Sequence, residues 1–240
     1  MTRIVYLPPL PGELDQEPLM RFRLIYDGAL RSSQKDDGNH SGMASHKQSI
    51  RKDFHKQLRL LWQTNRFLRE HEVYPTDTVT GRSPHSDAKQ REGLATTARL
   101  PMVEAVAQQY RENGYRFVPL VRESISLLCG LNILFLRRDF PQGGVVSAGD
   151  IDNRVKTIID ALTKPLGSAQ LGGIPPSQDE DPFFVLLEND KLVTSLAVET
   201  DALLSPPREA QHQACYARVI ITVELRPYDV TMFNLGFAGN

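Results

Sequence analysis

The sequence predicts a single domain of the α+β or mixed α/β class. Three observations carry that expectation. A chain of 240 residues suits one large domain. Apolar segments of strand type recur at residues 21–30, 115–121, 125–136, 191–199 and 216–225. Segments with helical spacing of apolar residues stand among them at 45–69, 103–113 and 149–164, giving the order β, α, α, β, β, α, β, β.

Each element has a local reason. Residues 21–30 (RFRLIYDGAL) read as a first strand, followed by a polar, Gly-containing loop near 35–45. In the next helix Ile50, Phe54, Leu58, Leu61 and Leu68 recur on one face with Trp62 beside them. Residues 75–93 are polar, without periodicity, and read as an inserted loop. Residues 103–113 are helical in pattern, with Gly114 placed to stop them. The stretch 115–121 contains Pro119, which predicts a weak or edge strand. Residues 125–136 (ISLLCGLNILFL) predict a central strand, and 137–148 a turn region. Asp150 or Asp152 can cap the following helix, whose buried face is Val155, Ile158, Ile159 and Leu162, and Pro165 and Gly167 end it. Gly- and Pro-rich sequence marks a further inserted loop near 167–187.

Composition narrows the class of function. With 40% hydrophobic and 24% charged residues the chain is neither disordered nor membrane-like. No segment approaches the roughly 20 apolar residues that span a bilayer, so no membrane partner is expected. The first residues have no apolar core with a cleavage site, so the expected compartment is the cytoplasm. Two cysteines, Cys129 and Cys215, read as free thiols. The histidines show no helical zinc pair, and neither a G-x-S-x-G elbow nor a Walker loop is present.

The net charge of -1 argues against a nucleic-acid partner until it is divided. Residues 1–120 carry 18 Lys/Arg against 14 Asp/Glu, and residues 121–240 carry 10 against 15. The excess of base concentrates in 45–69, where Lys47, Arg51, Lys52, Lys56, Arg59, Arg66 and Arg69 oppose Asp53. A solvated helix face explains this pattern. So does a phosphate-contacting one, with Lys47, Arg51, Lys52, Lys56 and Arg59 as the DNA-binding residues.

The acidic counterpart lies at 149–167. Asp152, Lys156 and Asp160 are spaced i, i+4, i+8 and share one helix face, with Asp150 on the chain entering it. Two carboxylates about 4 Å apart repel by about 4 kcal/mol at an effective dielectric near 20, which a hard divalent cation relieves. A cap with i, i+4 salt bridges explains the same residues. An EF-hand does not, because its glycine position is Val155 and its last ligand position is Ala161.

The run Gly149-Asp150-Ile151-Asp152-Asn153-Arg154-Val155-Lys156, followed by Asp160-Ala161-Leu162, resembles the D-x-D-N-x-x-K and D-A-L pattern of the RusA family of Holliday-junction resolvases. Asn189-Asp190-Lys191-Leu192-Val193 is similar to the family's later acidic turn before a strand. The resemblance implies a central mixed β-sheet packed by helices, and a homodimeric endonuclease that uses Mg²⁺, with Mn²⁺ as substitute, on branched DNA such as a four-way junction. It implies metal-binding roles for Asp150, Asp152 and Asp190, a catalytic role for Lys156, and supporting roles for Asn153 and Asp160. The stretch from Asp160 to Asp190 is longer than the compact family pattern, so Glu180 and Asp181 compete for the third acid. Two other functions fit the sequence: a catalytically inactive or regulatory branched-DNA-binding protein, and a metal-dependent nuclease acting on other nucleic-acid structures.

Overall fold

The computed structural model describes residues 19–31, 40–73, 99–137, 149–205, 207–208, 215–231 and 233–239. The expected loop at 75–93, most of the turn region at 137–148 and residues 35–39 of the first loop lie outside them. In chain order the elements are β1 (Met20–Ala29), α1 (His40–Thr64), α2 (Arg66–Glu70), β2 (Glu72–Val73), β3 (Leu100–Pro101), α3 (Met102–Gln109), β4 (Arg111–Glu112), β5 (Tyr115–Val121), β6 (Leu127–Arg137), α4 (Gly149–Leu162), β7 (Phe183–Leu187), β8 (Val193–Ala202) and β9 (Tyr216–Pro227).

The fold is α+β, and its main sheet is mixed. Four strands lie in the order β1-β9-β6-β8. β9 runs antiparallel to both β1 and β6, while β6 and β8 are parallel. The strongly apolar β6 therefore sits inside the sheet, as its composition predicts. Alternate residues Leu127, Cys129, Leu131, Ile133 and Phe135 face the core, where they join Val219, Ile221 and Val223 of β9. The face of α1 bearing Ile50, Phe54, Leu58 and Trp62 belongs to the same core. No helix among the described residues is long and apolar enough to cross a membrane.

Several expectations need correction. The basic helix starts at His40, inside the loop expected at 35–45. It breaks at Asn65, whose side chain accepts the Leu68 N–H and caps α2. The helix expected at 103–113 stops at Gln109. Asn113 (φ 47°) and Gly114 (φ 82°) instead turn β4 onto β5 as a hairpin, because an Asn-Gly pair accepts two successive left-handed residues. β5 is the middle strand of a second sheet, β4-β5-β7, rather than an edge. Its Pro119 is tolerated because β4 reaches only Tyr115 and Arg116, leaving Pro119 paired on the β7 side alone. The loop expected near 167–187 ends in a strand: Phe183–Leu187 is wholly buried and parallel to β5.

The outer edge of β1 is closed by one side chain. The Gln57 carboxamide of α1 accepts the Ile25 N–H at 2.8 Å and donates to the Ile25 carbonyl at 2.6 Å, occupying the positions of a neighbouring strand. Gln57→Ala is expected to lose about 1–2 kcal/mol, read by urea denaturation.

A buried histidine joins α1 to the second sheet. His55 Nδ1 accepts the Phe184 N–H at 2.8 Å, and its ring stacks on Phe183 at 4.3 Å. Nε2 faces the Asp179 carbonyl at 3.4 Å, so the ring is neutral with its proton on Nε2. Burial lowers its pKa below the usual 6.5. The unfolded chain therefore takes the proton first as pH falls. Stability is full above about pH 6.5 and declines below it, by at most about 1.4 kcal/mol per pH unit. Urea titrations at neutral and mildly acidic pH should show the decline, and His55→Asn, which keeps an acceptor but does not titrate, should flatten it.

Candidate metal and nucleic-acid site

β6, α4 and β8 form a crossover unit, because a parallel strand pair needs its connection to return the chain to the starting end. The end of α4 is placed by Thr163, which pairs with Leu187 at the close of β7, just ahead of β8. Ile151, Val155, Ile158 and Leu162 form the buried stripe of α4. Asp152 and Lys156 lie exposed on the other face, one turn apart, as the spacing predicts. Asp150 belongs to the first turn of the helix rather than preceding it as expected; its side chain is outside the described part.

Asp160 does not complete an acidic stripe. Its carboxylate is bound to the Lys47 ammonium of α1 at 2.6 Å. Asn153 is half-buried, and its carbonyl accepts the Thr157 hydroxyl at 2.9 Å. Asp190 is exposed, in a short 3-10 turn capped by the Asn189 side chain, which accepts the Lys191 N–H. Its two competitors are committed elsewhere. Glu180 is bound to Lys52 at 2.8 Å and Asp181 to Arg116 at 2.7 Å. Burial disfavours the charged form of Glu180, but the Lys52 ammonium and the Ser177 N–H overcome it and hold its carboxyl below the usual range.

Asp152 and Asp190 are not brought together within one chain. Eleven residues of helix, about 16 Å of rise, separate Asp152 from Thr163. Thr163 pairs with Leu187, three residues before Asp190. Asp190 therefore belongs to the opposite end of the helix from Asp152. Among the described residues no three His, Cys, Asp or Glu side chains form a group that could hold a metal. One chain offers Asp150 and Asp152 as neighbours in sequence, which satisfies the minimum of one or two carboxylates that Mg²⁺ uses, but the implied set of three is incomplete.

The basic face of α1 also differs from expectation. Arg51, expected on a DNA surface, is 2% exposed. Its guanidinium donates to the carbonyls of Asp160 at 2.8 Å and Thr163 at 3.2 Å, and to the Gln48 side chain. It thereby satisfies orphan carbonyls at the C-terminus of α4. Burial lowers its pKa to about 10, still charged at neutral pH. Lys47 and Lys52 are committed to the ion pairs above, and Arg59 donates to the Asp179 carbonyl at 3.0 Å. Lys56 stays on the surface, 73% exposed, with Asp53 at 3.6 Å. Most of the predicted binding face is thus an internal fastening of α1 to α4 and to the segment before β7.

A second buried guanidinium had no signal in the sequence. Arg122 is 1% exposed and donates to the Pro119 carbonyl at 3.3 Å. Burial pushes its pKa to about 10, while Tyr110 and Glu188 favour its charge. Glu188 in turn accepts the Glu123 N–H, and Asn189 donates to the Glu123 carboxylate, fixing the turn that carries Asp190.

No family model, no curated protein and no solved structure matches this chain.

Proposed function

We propose that the chain is a Mg²⁺-dependent, structure-specific DNA endonuclease that resolves four-way junctions, acting as a homodimer in the cytoplasm. The observation that carries this reading is the start of α4. A D-x-D-N-x-x-K sequence there leaves Asp152 and Lys156 exposed one turn apart on a single helix face. Asp150 and Asp152 would hold Mg²⁺, which when bound polarises a phosphate and activates water. Lys156 places its charge where a phosphate oxygen develops negative charge.

The commitment of Lys47, Arg51 and Lys52 to partners within the chain favours a second reading, a regulatory protein that binds branched DNA without cutting it. Labelled four-way junctions, flaps, forks, linear duplex and RNA, each incubated with Mg²⁺ or Mn²⁺, separate the two. Metal-dependent cutting of the junction is expected. Junction binding without cutting in either metal supports the regulatory reading, and preferential cutting of another structure moves the substrate.

A further inference from the structure

Lys156 stands between two acids of its own helix. Asp152 lies four residues before it and Asp160 four residues after it, each one turn away on the same face of α4. Either spacing permits an ion pair, yet among the described residues the exposed Lys156 ammonium is joined to neither. A lysine held by a neighbouring carboxylate has its charge offset and its ammonium drawn along the helix, away from any other anion.

A residue of another element keeps Asp160 from holding it. The Lys47 ammonium of α1 lies 2.6 Å from Asp160 Oδ2, and the two side chains are only 23% and 32% exposed. Solvent and salt screen such a pair less than they screen an i, i+4 pair on an open helix face, whose net gain is small. The contact with Lys47 therefore takes the carboxylate. Arg51, one turn further along α1, donates to the Asp160 carbonyl at 2.8 Å, and the Asp160 carboxylate favours its charge. Two cations of α1 thus face the acid that would otherwise compete for Lys156.

We propose that Lys47 is a positioning residue for Lys156: by occupying the Asp160 carboxylate it leaves the Lys156 ammonium free to meet a phosphodiester oxygen. The phosphodiester rests on the nuclease reading above; the choice of Asp160 between two lysines does not.

A water-soluble carbodiimide condenses a carboxylate with an amine in contact with it, and peptide mass spectrometry of the full chain then identifies the joined pair. The wild type should give the Lys47–Asp160 link with little Lys156–Asp160 link. Lys47→Met, which keeps most of the apolar stem and loses the charge, should give the Lys156–Asp160 link. Lys47→Gln should do the same, which removes packing as the cause. Lys47→Arg, which keeps the ion pair and offers no reactive amine, should give neither. A Lys156–Asp160 link as abundant in the wild type as in Lys47→Met, or absent from both Lys47→Met and Lys47→Gln, overturns the proposal. Single-turnover cleavage of a junction by Lys47→Met should fall about threefold, the combined effect of a competing i, i+4 pair and an uncompensated acid near the phosphate. Adding Asp160→Asn should return the lost rate, because the competitor for Lys156 is gone. A purely structural ion pair predicts no such rescue, since the double variant also lacks the pair, and a DNA contact by Lys47 predicts none either. A double variant as slow as Lys47→Met therefore overturns the proposal. Failure of the wild type to cut a junction would overturn the nuclease reading alone, leaving the cross-links to decide which lysine holds Asp160.

Discussion

Arg51→Ala is expected to cost about 3–5 kcal/mol of folding free energy, a large share of the stability of an ordinary domain. The guanidinium lies between α1 and α4 at 2% exposure and donates to the carbonyl of Asp160 in the last turn of α4, to that of Thr163 just beyond it, and to Gln48. Alanine leaves those acceptors buried, removes the positive charge from the helix C-terminus and opens a void. Lys56→Ala on the exposed side of the same helix should change stability by no more than about 0.5 kcal/mol. Chemical denaturation of both variants checks the contrast. Unchanged stability for Arg51→Ala, with weakened DNA binding, would restore the view of α1 as a phosphate-contacting face.

Asp152→Asn should behave in the opposite way. Asp152 is exposed, and among the described residues it forms no ion pair, so the variant should fold with stability within about 0.5 kcal/mol of the wild type. Under the nuclease reading, single-turnover cleavage of a junction should fall at least about a hundredfold, because several kcal/mol of charge stabilisation at the phosphate are lost. Junction binding should persist, since neutralising an acid removes repulsion from DNA phosphates. Lys156→Ala should lower the rate without abolishing Mn²⁺ binding. An Asp152→Asn protein that cuts at the wild-type rate would end the case for this site.

The parts of the fold that rest on local pattern were legible. β1, β8, β9 and the buried stripe of α4 follow from period-2 or period-3.6 spacing of apolar residues, and β6 from its long, strongly apolar run. β7 was not, because FFVLL is a continuous apolar run without period and follows a long Gly- and Pro-rich stretch. The hairpin at Asn113-Gly114 did carry a signal, but the helical pattern just before it masked the Asn-Gly turn. The fate of the basic residues was hidden for another reason. Lys47 meets Asp160 and Arg59 meets Asp179, more than a hundred positions away, and no local rule reports such pairs. Arg51 did leave a trace: with Phe54, His55, Leu58 and Trp62 it falls on the buried helical stripe, where a charged residue needs fixed partners. The exposure of Asp152 and Lys156 followed from spacing. The separation of Asp152 from Asp190 did not, since it depends on which strands are parallel.

The position of β9 has a consequence for biosynthesis. The strand between β1 and β6 is the last in sequence among the described residues, and its pairing joins residues as distant as Met20 and Leu225. During translation β1 and β6 emerge long before the strand that lies between them, and neither can pair across the empty lane. The nascent chain must keep two apolar strands from aggregating until β9 has been synthesised. A ribosome stalled before codon 216 would hold a polypeptide with α1 to α4 and no closed main sheet. Release from chaperones should therefore track the synthesis of β9 rather than of any earlier element.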